Sequence, residues 1–127
     1  MRSDCGPPSS STRILALAHA KYGILLLARP RTVLALVRDD PADAGARGFV
    51  RLLGIRHLSE GVALALYPSE RVLGFAAATD LAHGASLPLL ARRLVAHRRA
   101  LAINGATALS FAGLSLAQLL RHRAYVA

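Results

Sequence analysis

The chain has 127 residues, enough for one domain, and is 54% hydrophobic with a mean hydropathy of +0.39. The net charge of +9 would ordinarily point to nucleic acid, but no stacking aromatic platform or groove-reading motif accompanies it. Cys5 is the only cysteine, which excludes an internal disulfide and a multi-cysteine metal site.

Residues 1–12, "MRSDCGPPSSST", are polar and Pro/Ser-rich and read as a disordered tail before a single membrane domain over 13–123. The first apolar segment, Ile14 to Ala28, forms a short span of about 13–28 that ends where Pro30 disfavours helix at Arg29. His19 and Lys21 inside it argue against a cleaved signal peptide. "RTVLALV" follows as a short amphipathic helix at the interface, and Arg38 to Gly48 reads as a loop.

The second span covers about 49–67 and stops at Pro68. Ser69 is placed to cap the third, about 70–91, with Glu70 in its first turn and Pro88 near its far end as a possible kink. The short connection makes these two an antiparallel hairpin. The fourth span, about 98–120, contains the uncharged run Ala100 to Leu120. Its small residues Ala102, Ala106, Ser110, Gly113 and Ala117 form a stripe suited to close helix packing.

The arginines fall mostly at the ends of these apolar runs, the pattern of a multi-pass membrane protein. Four spans put the first and third connections on one side, with Arg29, Arg31, Arg38, Arg47, Arg92, Arg93, Arg98 and Arg99. The positive-inside rule then makes that side cytoplasmic and leaves both termini outside the cell membrane. The fold class is therefore all-α: a four-helix transmembrane bundle with a short interfacial helix after the first span.

Charged groups within the second and third spans single out a candidate site. Arg56, His57 and Glu60 share one helix face, Glu60 lying about 40° from Arg56 and about 60° from His57. Asp80 and His83 share a face of the next helix. Folded at Pro68-Ser69, the hairpin sets His57 opposite Asp80 and Arg56 within a residue of that level. Asp80 lies 12 residues beyond Pro68, roughly 18 Å along a helix, past the middle of a core about 30 Å thick. An isolated charge there costs about 2.5–3.5 kcal/mol even on mild insertion scales, so Asp80 and Arg56 are expected to pair. His19 and Lys21 could join the same interior.

Three readings follow. The leading one is a structural network, with Arg56–Asp80 and His57–Glu60 fixing helix register in a non-enzymatic scaffold or accessory protein. The alternative is a proton- or solute-coupled transporter or channel subunit using Glu60, Asp80 and the histidines. The third is a membrane metalloenzyme with His57, Glu60, Asp80 and His83 as ligands, against which Arg56 repels a cation. No nucleophile elbow, phosphate loop or Cys/His pair is present, so no catalytic residue and no cofactor is assigned.

"LLGIRHLSEGVAL" and "AAATDLAHGASL" resemble small multi-pass membrane proteins of high-GC bacteria, broadly similar to the DoxX-like four-helix families. The resemblance implies a Gly-x-Arg-His-Leu stretch on the second helix and Asp-x-x-His on the third. Gly54, Arg56, His57, Asp80 and His83 match those positions. It covers most of Leu52 to Leu116 and bears on architecture more than activity. The expected partners are the lipid bilayer and either further copies of the chain or a larger membrane complex.

Overall fold

The computed structural model describes residues 9–126, and every regular element among them is helical. In chain order these are α1 (Ser10–Ala28), α2 (Pro30–Leu36), α3 (Ala44–Leu66), α4 (Glu70–Arg93) and α5 (Arg98–Val126). A single 3-10 turn, Val95–His97, lies in the connection between α4 and α5.

Side-chain caps set the starts of three helices. Ser9 caps α1 by accepting from the Thr12 N–H at 3.2 Å, so the last residues of the expected tail are already helical. Residues 1–8 of that tail, with Arg2 and Cys5, lie outside the described residues. Asp43 caps α3 by accepting from Ala46 N–H at 2.9 Å, so the helix starts at Ala44 and takes in the last residues of the expected 38–48 loop. Ser69 caps α4 as expected, and that helix runs without a break through Pro88.

The α2 end turns on a residue the sequence does not advertise. Arg38 adopts φ 58°, the left-handed conformation that glycine usually supplies after a helix. The Asp39 N–H reaches Leu34 C=O at 2.9 Å and the Arg38 N–H reaches Ala35 C=O at 3.1 Å. These are the two bonds of a Schellman motif. They reverse the chain and bring Asp39 up to the α4–α5 connection.

The four long helices run alternately up and down, but the expected α3/α4 hairpin is not a close-packed pair. α3 lies against α1, and α4 lies against α5. The reason is where the glycines point. A Cβ on Gly61 would meet Ala20 N at 2.7 Å and Ala16 O at 2.8 Å; one on Gly23 would meet Leu58 N at 2.5 Å. Those two backbones touch because no side chain stands between them. Gly84 and Gly105 face each other across α4 and α5 in the same manner, the Gly105 Cβ position lying 3.6 Å from Gly84 O. On α5 the packed face is Leu101, Gly105, Ala108, Ala112, Ser115 and Leu119. The expected stripe of Ala102, Ala106, Ser110, Gly113 and Ala117 is on the exposed face instead.

Two apolar layers close the bundle above and below its middle. Leu15, Ala16, Leu64, Leu73 and Leu119 form one, at the Pro68 end. Leu26, Leu34, Val50 and Leu53, with Leu87, Ala91 and Leu101 across from them, form the other. Polar links hold the rims: Ser11 donates to Gln118 at 2.8 Å, and Glu70 meets His122 at 3.1 Å and Arg123 at 3.4 Å.

Ionisable side chains are buried among the apolar layers, while many large apolar ones face outward. His19, His57 and Asp80 are 0% exposed, while Ile14 is 67% exposed and Phe75 71%. Ile24, Leu52, Leu89 and Leu116 also face outward. Among the described residues one stretch, Val95–Ala124, is long and apolar enough on its own to cross a membrane.

Candidate functional site

Between the two apolar layers, α1, α3 and α4 bring five ionisable side chains together. α3 supplies three of them, because Arg56 and Glu60 are one turn apart and Glu60 lies between Arg56 and His57 in projection. Arg56 is the bridge. Its Nη2 donates to Asp80 Oδ1 on α4, and its Nε stands 3.2 Å from Glu60 Oε1 on its own helix. The equal-depth expectation for Arg56 and Asp80 therefore describes an observed contact.

His19 of α1 completes the group. Its Nδ1 lies 3.2 Å from His57 Nδ1 and 3.4 Å from Glu60 Oε2, while His57 Nδ1 lies 3.6 Å from the same oxygen. The other nitrogen of His19, Nε2, points at Asp80 Oδ2 across 3.8 Å. Asp80 thus faces His19 and Arg56 rather than His57. Phe111 of α5 covers the histidines, its ring centroid 4.0 Å from that of His19 and 5.3 Å from that of His57. Tyr22 packs edge-on against His57 at 5.0 Å.

Two expected members stand apart. Lys21 is exposed, since two residues along a helix turn it about 200° away from His19. His83 is half-buried beside Asn104 of α5 and forms no ion pair with the cluster among the described residues. Ser59 donates to Ile55 C=O, the ordinary use of a helix hydroxyl.

The cluster is closely approached but poorly bonded. Both Glu60 oxygens, the Nε2 atoms of His19 and His57, and Asp80 Oδ2 are buried without a protein hydrogen-bond partner. Buried polar atoms nearly always find partners, so this concentration at one point marks the place.

A cavity of about 300 Å³ opens beside it, between the α1–α3 pair and the α4–α5 pair. Leu34, Val50 and Leu101 line its walls, and Tyr22 and Asn104 lie at its inner end. Its outer end carries Asp39, Asp43 and His97, from the two Arg-rich connections. His97 Nδ1 lies 2.9 Å from both Asp39 carboxylate oxygens. That hydrogen bond and the surrounding acids push the His97 pKa up from its ordinary value. Backbone N–H groups of Ala46 and Gly45 hold the Asp43 carboxyl below the usual range.

Sequence reasoning missed Tyr22, Asp39, His97, Asn104 and Phe111. Asp39 and His97 are 58 residues apart, and only the side-by-side placement of the first and third connections brings them together. The chain matches no protein-family model, no curated protein and no solved structure.

Proposed function

We propose that the chain is a small multi-pass membrane protein whose buried cluster is a cation-coupled site, exchanging protons or a solute cation through the cavity beside it. α1, α3, α4 and α5 are the four spans. At 1.5 Å per residue, even the 19-residue α1 reaches roughly 28 Å, close to a bilayer core. Support for a bilayer comes from the many large apolar side chains on the outer faces and the ionisable ones buried inside. The Arg-rich connections are taken as cytoplasmic by the positive-inside rule. Kinship with DoxX-like proteins rests on the Gly54–Leu58 and Asp80–His83 stretches.

One observation carries the coupled reading. Carboxylate and imidazole atoms sit buried and without protein hydrogen-bond partners behind Tyr22, which lines the inner end of the cavity, where a purely structural network would be satisfied. Its test is proton flux in proteoliposomes under an imposed pH gradient. Wild type is expected to dissipate the gradient faster than empty vesicles, and Glu60→Gln to lose the excess. Equal rates for wild type and empty vesicles would refute it.

A scaffold or accessory role is the second reading, and Arg56 favours it. Its hydrogen bond to Asp80 is the main polar link between two helix pairs that otherwise touch little. Under that reading Asp80→Asn lowers detergent stability and changes no flux.

A further inference from the structure

We infer that His19 Nδ1, His57 Nδ1 and Glu60 Oε2 are the three protein ligands of a divalent transition-metal site. The inference rests on the reading of the cluster as a cation site and names the ion class and its ligands. The three atoms belong to two helices and lie 3.2, 3.4 and 3.6 Å apart. In a tetrahedral site with bonds of about 2.0–2.1 Å, neighbouring ligand atoms are separated by about 3.3 Å. The observed triangle has that size before any ion is placed in it. Two imidazoles and one carboxylate form a donor set for zinc or iron(II), whereas calcium and magnesium prefer oxygen throughout.

The surroundings suit such a site. A metal on His19 Nδ1 leaves Nε2 as the protonated nitrogen, and that nitrogen faces Asp80 Oδ2 at 3.8 Å. A carboxylate behind a ligating histidine is the usual orienting partner. Glu60 would ligate through Oε2 while Arg56 holds Oε1. Arg56, which appeared from sequence to repel a cation, is neutralised on its far side by Asp80. Glu60, Asp80 and Arg56 sum to one negative charge when the histidines are neutral. A divalent ion changes that to one positive, and a hydroxide or other anion in the fourth position brings it to zero. The cavity ends at Tyr22, which packs on His57, so it approaches the ligands without being lined by them.

The test uses the full chain purified in detergent without an affinity tag, stripped with a chelator, then titrated with zinc chloride or cobalt(II) chloride. One retained metal per chain is expected, with cobalt giving the visible absorption of a tetrahedral complex. Glu60→Gln and His57→Ala are expected to weaken binding more than a hundredfold, Asp80→Asn by 10–100-fold, and His83→Ala to leave it unchanged. X-ray absorption of the zinc-loaded wild type should show two imidazoles and one carboxylate, and needs no variant to fold. Absence of retained metal, fewer than two imidazoles, or loss in His83→Ala with retention in His57→Ala would overturn the site. Wild type that moves protons yet retains no metal overturns the metal site and leaves the coupled reading standing. Stoichiometric metal without flux does the opposite.

Discussion

The seam between α1 and α3 and the seam between α3 and α4 are built on opposite principles. The first is close because side chains are missing: Gly23, Gly54 and Gly61 let backbone meet backbone. The second is wide because side chains are present, with Arg56 reaching across it to Asp80. In the membrane setting proposed for the chain, lipid gives helices little hydrophobic drive to associate, so packing and polar links would hold them together. α3 uses both means, one on each side, and the buried cluster forms where they meet.

Removing the polar link should have the largest effect. Asp80→Ala leaves the Arg56 guanidinium buried beside Glu60 alone, and breaking a buried pair costs about 3–5 kcal/mol. The expected cost is at the low end, because Glu60 retains part of the charge balance. Thermal denaturation in detergent measures it. The triple change Arg56→Met, Glu60→Gln and Asp80→Leu should recover most of the loss, since it leaves none of the three linked groups charged. An unaltered melting temperature in Asp80→Ala would mean that the wide seam is held by something else.

The close seam is tested by adding one methyl group at a time. Gly61→Ala drives a Cβ onto the backbone of Ala16 and Ala20, which cannot swing aside, and should cost about 1–3 kcal/mol. Gly84→Ala meets mainly the side chain of Leu109, which is half exposed, with the Gly105 backbone oxygen farther off at 3.3 Å, so a smaller loss is expected. Gly113→Ala meets nothing within 4 Å and should stay within about 0.5 kcal/mol. The same chemical change thus ranks three sites by what stands opposite each. Equal effects at Gly61 and Gly113 would remove the distinction between packed and open faces.

What the sequence made legible follows from the same contrast. Helix identity, the Ser69 cap and the Arg56–Asp80 level could be read because each depends on local spacing. Helix pairing could not. Gly61 and Gly113 look alike in a list, and only the direction each faces in the bundle decides whether a partner comes close. The stripe Ala102, Ala106, Ser110, Gly113 and Ala117 has the right composition for packing but lies on the exposed face. His19 was placed with Lys21 by proximity in sequence, although consecutive odd positions on a helix face apart. The His19–His57–Glu60 triangle needs α1 against α3, an arrangement that the hairpin picture assigned to α4.

The smallest effect belongs to the outer end of the cavity, where the two helix pairs meet again through His97 and Asp39. The His97 pKa is raised by that carboxylate, so the contact stabilises the folded chain most when His97 is protonated in both states. Its contribution is fully present below the unfolded value of about 6.5 and is lost as pH rises through the higher folded value. His97 is only partly shielded, and pairs of that kind contribute about 0–1 kcal/mol. The melting-temperature difference between wild type and Asp39→Asn should therefore be largest in mild acid and shrink towards alkaline pH. A difference that grew with pH would have the wrong sign for a protonated His97. In that event the connections would be held by the Schellman turn at Arg38 rather than by the ion pair. Arg38→Gly, which relieves the left-handed arginine without touching Asp39, would then raise the melting temperature at every pH alike.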